Sequence, residues 1–221
     1  MTVIIGAKCS DGIVLIADKR LTRKNGKVIY NEKIFGDLAH FLIGYSGDTE
    51  MFDIFRRYTT GDVMMKRDDP ERYTLNNLLT KTSRSIKRFN EIAGRPFKAL
   101  LASHEEHKLY HIDVDGSWTE ETYRAIGSGE KTADMFCKGL SNELTIKNFS
   151  KRAYLAIMYM DQYCPGLGVG VEPDDNPDIR YLRYNEEWDR KAPAEDILEF
   201  KKLTNEKMEQ FRQSFDKIIM E

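Results

Sequence analysis

The sequence predicts an α+β fold: a four-layer αββα sandwich of two antiparallel sheets flanked by helices. Three observations predict it. Strand-like and helix-like segments come in blocks (four strands, two helices, three strands, two helices, a strand, a helix), which argues against a βαβ parallel sheet. The first strands are apolar on both faces, as in a sheet covered on both sides. Turn residues join neighbouring strands directly, as antiparallel pairs allow. No internal repeat or linker divides the chain, and the Pro/Asp-rich stretch 172–178 lies too near the C-terminus to separate two units. Residues 1–221 are therefore read as one domain.

Residues 2–9 are rich in β-branched side chains, and Ser10-Asp11-Gly12 supplies turn chemistry. Residues 12–20 carry the run Ile13-Val14-Leu15-Ile16-Ala17. After the Asn25-Gly26 turn, residues 28–35 and 40–45 read as two further strands. Residues 49–58 place Met51, Phe52, Phe55 and Tyr58 at helical spacing. Residues 59–72 are polar, with Gly61 and Pro70, and read as an exposed excursion. Residues 74–90 carry a helical stripe through Leu75, Leu78, Leu79, Thr82, Ile86 and Phe89. Strands are expected over 97–103, 108–114 and 118–127, helices over 130–140 and 147–163. Pro165, Gly166, Gly168 and Gly170 break the chain before a strand at 179–184 and a terminal helix at 194–219.

Composition narrows the function. Hydrophobic residues make up 41% and charged residues 32%, with a formal net charge of −2. That balance fits an ordinary globular domain. It offers no broad basic excess for nucleic acid, and the local run of Lys and Arg over 20–27 reads equally well as a solvated loop. No stretch has the length of a membrane span or the layout of a secretory signal, so no membrane partner is expected. Cys9, Cys137 and Cys164 are odd in number and without a CxxC pair. A reducing, cytoplasmic location is the simpler reading. His104, His107 and His111 fall on a strand turn, not at the helical spacing of a zinc protease, so no metal site is expected.

Several motifs remain, and their residues resemble the proteasome β-subunit family of N-terminal nucleophile hydrolases. That family opens with Thr, a strand, an Asp-Gly turn, and a strand ending in Asp-x-Arg. Here these read Thr2, Asp11-Gly12 and Asp18-Lys19-Arg20. Its Lys before an apolar-Phe pair matches Lys33-Ile34-Phe35, after a loop one residue shorter. Its glycine-rich strand end with an Asp matches Gly44-Tyr45-Ser46-Gly47-Asp48. Its Gly-Ser-Gly before a helix matches Gly127-Ser128-Gly129, and its helical Asp matches Asp161. Where the family usually has a second Ser followed by Gly, this chain has Cys164-Pro165. The long N-terminal extension of the family's α-type subunits, which covers the threonine, is absent from the given sequence.

The resemblance implies a threonine-type peptidase with Thr2 as nucleophile once Met1 is removed. One residue then holds both a hydroxyl and a free amine, and an α-amine titrates near pH ~7.7–8.0, so it can act as base. Asp18 and Lys33 read either as a strand-end surface pair or as the group that stabilises charge at the Thr2 hydroxyl. Gly44 reads as a packing glycine or, by resemblance, as the backbone donor to the oxyanion. Ser128 reads as a turn or helix-cap residue and Asp161 as a solvated helix-end acid. By resemblance, both position the Thr2 amine. Substrate contacts implied in the same way are Thr22 along an extended peptide, with Leu21, Asn31, Leu42 and Ser46 bordering the first side-chain pocket. Leu42 at the floor gives an apolar preference. No cofactor enters this chemistry. The implied partners are peptide or unfolded protein substrates and a homo-oligomeric ring, which the family joins to α-type subunits and an unfolding ATPase. Two rival readings are a non-catalytic structural subunit of the ring and an amidase or peptide-ligating transferase of the same superfamily. The terminal stripe Ile197, Phe200, Met208, Phe211, Phe215 and Ile218 either packs on its own domain or meets a neighbouring subunit.

Overall fold

The computed structural model describes residues 2–22, 26–36, 41–47, 75–93, 97–140, 143–186 and 190–220. The expected helix at 49–58 and the excursion at 59–72 lie outside them. Two five-stranded antiparallel sheets stack face to face. The first contains β1 (Val3–Cys9), β2 (Gly12–Ala17), β10 (Tyr123–Gly127), β11 (Asp178–Arg183) and β12 (Arg190–Lys191), in the order β10-β1-β2-β11-β12. The second runs β5-β6-β7-β8-β9, from Ile34–Gly36, Phe41–Ser46, Lys98–Ser103, Lys108–Ile112 and Trp118–Glu121. A short hairpin, β3 (Arg20–Thr22) with β4 (Val28–Tyr30), stands apart from both.

Alternation along each strand builds the layers. Ile4, Ile13, Leu15, Leu42, Leu100 and Leu109 point between the sheets into one apolar core. Their neighbours Val3, Ile5, Val14 and Ile16 point outward, under α2 (Glu130–Cys137), α3 (Ile146–Tyr163) and α4 (Ala194–Met220). On the far side, Ile43, Tyr45 and Leu101 meet Leu79 and Ile86 of α1 (Leu75–Ala93). The inner strands β1, β2, β6 and β7 are thus buried on both faces, which is why they read as continuous apolar runs. A Cβ on Gly6 would meet Leu15 Cδ2 at 2.9 Å and Leu100 Cδ1 at 3.0 Å, so the bare residue sets how closely the sheets approach. Burying one Leu or Ile here contributes roughly 1.5–3 kcal/mol.

Two expected strands are each two. Residues 28–35 divide into β4 and β5, which belong to different sheets, with Asn31-Glu32-Lys33 irregular between them. Residues 118–127 divide at Thr122, where the chain leaves the second sheet for the first. The Thr122 carbonyl there accepts a bond from the Lys8 N–H at 2.8 Å. Both breaks are short and solvent-exposed: Tyr30, Asn31 and Glu32 at the first, Trp118 to Glu120 and Thr122 at the second. Of the terminal stripe, Ile197 and Phe200 pack on the domain and Met208 is nearly buried, whereas Phe211 is half-exposed; the side chains of Phe215 and Ile218 lie outside those described.

Candidate functional site

Strand register gathers the residues of the site. In the β1–β2 hairpin Ile4 faces Ala17, so Asp18 lands beside Thr2 and Val3. In the β1–β10 pair Val3 faces Gly127, so Ser128 follows next to Thr2. In the β5–β6 pair Ile34 faces Gly44, placing Gly44 across from the residue after Lys33. Asp161 lies in the last turns of α3.

Thr2, Asp18 and Lys33 are at most 5% exposed. The Thr2 hydroxyl donates to Asp18 Oδ1 at 2.7 Å and accepts from Lys33 Nζ. Lys33 Nζ also donates to Asp18 Oδ1 and to the Arg20 carbonyl, each at 2.7 Å. Three acceptors therefore meet the three N–H bonds of an ammonium. Asp18 Oδ1 additionally accepts the Val3 N–H at 2.8 Å, and its Oδ2 accepts the Gly170 N–H at 3.2 Å. The charges are buried but paired and fully bonded, the condition under which a buried pair is tolerated. Burial draws the Lys33 pKa down to about 8, against the upward pull of the Asp18 charge and hydrogen bond. Of the two readings of this pair, the surface one does not hold.

Ser128 does not cap the following helix: the cap position is Gly129, and no side chain bonds there. Its hydroxyl instead accepts the Thr2 N–H at 3.1 Å and donates to the Leu167 carbonyl at 2.7 Å. Gly127 has φ +102°, and a Cβ there would meet the Thr2 carbonyl oxygen at 2.2 Å and Ser46 Oγ at 2.9 Å. Only glycine suits that junction. The carboxyl of Asp161 is pushed up by burial, opposed by a hydrogen bond from the Val171 N–H and by the Arg20 charge. It is half-buried rather than solvated.

The departure at Cys164-Pro165 has a structural form. Cys164 ends α3 with its N–H on the Met160 carbonyl, and Pro165 opens a 3₁₀ turn, Pro165–Leu167. That turn presents the Leu167 carbonyl to Ser128. Among the expected substrate contacts, Thr22 and Asn31 are exposed, Leu21 and Ser46 are 6% and 8% exposed, and Leu42 is fully enclosed in the inter-sheet core. His104 Nε2 sits 3.0 Å from the Arg183 carbonyl, and His107 stacks on Tyr184 at 4.0 Å. Among the described residues no group of three His, Cys, Asp or Glu is arranged to hold a metal ion, and no helix is long and apolar enough to cross a membrane. Sequence reasoning missed the Arg20 and Leu167 carbonyls and the Gly170 amide. Main-chain groups carry no residue signature, and only the glycine itself could have drawn attention.

A family model described as "Proteasome subunit" matches residues 2–170. A "Proteasome subunit alpha" from Thermococcus sibiricus is 31% identical over 162 residues, covering 69% of this chain and 61% of that relative's own length. A "Proteasome subunit beta 1" from the same organism is 27% identical over 165 residues, covering 71% of this chain and 77% of the relative. A solved structure described as an Anbu (Gly-1) mutant from Hyphomicrobium sp. strain MC1 superposes with a TM-score of 0.70. It covers 98% of this chain and 97% of its own at 18% identity, a likeness of fold.

Proposed function

The chain belongs to the proteasome subunit family, and from that premise we propose that it is a β-type, threonine-type endopeptidase subunit whose nucleophile is Thr2. The observation that carries this reading is the Thr2 hydroxyl held between Lys33 Nζ and Asp18 Oδ1 in a buried network. Removal of Met1 turns the Thr2 nitrogen, already bonded to Ser128, into a free amine. Thr2 Oγ1 attacks the scissile carbonyl while its proton passes to that amine. The Lys33 ammonium stabilises the charge developing at the oxygen, and the Gly44 N–H receives the oxyanion. The proton then goes to the leaving amine, leaving an acyl ester on Thr2 that water hydrolyses. Transfer of the same ester to another amine would make the chain a ligating transferase.

A second reading, a structural subunit without activity, draws support from the names of the relatives, which are alpha more often than beta: among them are the one at 31% identity and one from Archaeoglobus fulgidus at 26% identity over 92% of this chain. Intact-mass analysis of the native protein separates the readings at their root. The expected mass is that of the chain less one methionine. Retention of Met1 in the assembled protein leaves no terminal amine and removes the peptidase reading.

Assembly into a homo-oligomeric ring belongs to the same proposal. Soluble monomers seldom keep large apolar patches open. Here Met135 is 84%, Phe211 47% and Tyr163 42% exposed, with Tyr159 in ring contact with Phe136, Tyr163 and Phe211 between them. Light scattering at micromolar concentration is expected to give a multiple of 25.7 kDa. A clean monomer refutes the ring. Cutting the chain after Ala194 would also remove the core residue Phe200, so Phe211→Glu is the cleaner probe of the terminal helix. It should lower the assembled fraction, and unchanged assembly would move the contact elsewhere.

A further inference from the structure

We propose that Gly170 is a main-chain clamp that positions both carboxylates of the site, and that it is bare because a side chain there would displace Asp161. The inference rests on the peptidase reading and adds to it a positioning element that the motifs do not contain. The Gly170 N–H donates to Asp18 Oδ2 at 3.2 Å. The Gly170 carbonyl accepts both the Lys19 N–H at 3.0 Å and the Arg20 N–H at 2.9 Å. The other side of Arg20 supplies the carbonyl that holds Lys33 Nζ. One residue thus touches Asp18 directly, Lys33 through the Arg20 backbone, and Asp161 through space.

The space is specific. A Cβ on Gly170 would stand 2.4 Å from Asp161 Oδ1 and 3.1 Å from its Cγ, while the next atom, Arg20 Cδ, lies at an ordinary 3.5 Å. Gly170 is not among the glycines with positive φ, so alanine fits the backbone. The conflict is with the Asp161 carboxylate alone. An aspartate side chain is short, so its carboxylate clears a Cβ there only by leaving its present position. The charges that Asp161 faces are Asp18 and Arg20. Across a cleft of about 330 Å³ that it also lines are Glu172, Asp174, Asp175 and Lys201.

The test is a cycle of Gly170→Ala, Asp161→Ala and the double variant, read by turnover of a fluorogenic peptide and by thermal melting. Gly170→Ala is expected to lower kcat by about 10–10²-fold, the order of loss that follows an ångström-scale misplacement, with KM little changed and the pH profile of kcat displaced. In the Asp161→Ala background the same change should add nothing to either readout, because the obstructed oxygen is gone. Additive losses, or parental kcat in Gly170→Ala, overturn the clamp. If Gly170→Ala fails to fold, the double variant should fold as Asp161→Ala does, and its failure also overturns the inference. If the parent chain turns over no peptide, the peptidase reading falls. The melting cycle then decides the clamp: non-additive shifts uphold the Gly170–Asp161 contact and additive shifts refute it.

Discussion

A Thr2→Ala variant is expected to fold and assemble as the parent does and to turn over no fluorogenic peptide. The fold is spared because Thr2 contributes little to the core beyond its hydroxyl. Removing that oxygen leaves Lys33 and Asp18 bonded to each other at 2.7 Å, with the Arg20 carbonyl and the Val3 and Gly170 amides still in place. One N–H of the buried Lys33 ammonium then lacks its acceptor, at a cost of roughly 1–3 kcal/mol, in a network that otherwise stays connected. Activity is lost because no neighbour can replace the nucleophile. Among the residues described around Lys33 Nζ, the Thr2 hydroxyl is the only one that is not a carboxylate or a carbonyl. Thr2→Ser separates chemistry from placement. It restores the oxygen without the branched Cβ that restricts χ1, so turnover should return in part. Steady-state kinetics on both variants, with melting curves as the control for folding, check the expectation. Undiminished turnover in Thr2→Ala would place the chemistry on another residue and sink the mechanism.

How much of this was legible in the sequence follows from what side chains can signal. The sandwich was readable because the inner strands of each sheet are buried on both faces. Val3, Ile5 and Ile16 face helices while Ile4 and Leu15 face the other sheet. Continuous apolar runs separated by turn residues report that arrangement directly. The crossings at residues 31–33 and at Thr122 stayed hidden because extended sequence on either side of a short exposed break does not record which sheet supplies its partner strand. The hairpin pairing of β1 with β2 brings Thr2 to Asp18, so that proximity follows from the turn at Ser10-Asp11-Gly12. Lys33 and Ser128 come from other elements, and only the resemblance suggested that they converge on Thr2; Asp161, expected with them, lies against Gly170 instead. The Arg20 and Leu167 carbonyls and the Gly170 amide stayed invisible because every residue has such groups. Their role depends on where the chain passes.

Replacing Lys33 by alanine is expected to cut kcat/KM by about 10²–10³-fold or more, the range found when a preorganised electrostatic donor is removed from a water-poor site. The structural reason is the position of Nζ, bonded to Thr2 Oγ1 and shielded to 1% exposure. A positive charge there acts where the attacking oxygen gains negative charge. Lys33→Arg should be almost as poor, because a planar guanidinium cannot fit three acceptors arranged around a point charge. The pH dependence gives a separate sign. With its pKa lowered to about 8, Lys33 keeps its proton at neutral pH and loses it above. Turnover that needs the ammonium must therefore decline as pH rises past about 8. The contribution of Lys33 to stability runs the other way. Its unfolded-state pKa is near 10.5, so between about 8 and 10.5 the unfolded chain binds more protons than the folded one. Unfolding free energy from this group then increases with pH through that window, and is lost as pH falls through the folded pKa. Activity falling while the lysine's share of stability rises distinguishes deprotonation of Lys33 from alkaline unfolding. The measurement is kcat/KM and melting temperature from pH 6 to 10 on the parent and on Lys33→Ala. An alkaline limb that persists unchanged in the residual activity of Lys33→Ala would assign it to a different group. A loss of only a few-fold in both Lys33 variants would reduce Lys33 to a structural partner of Asp18.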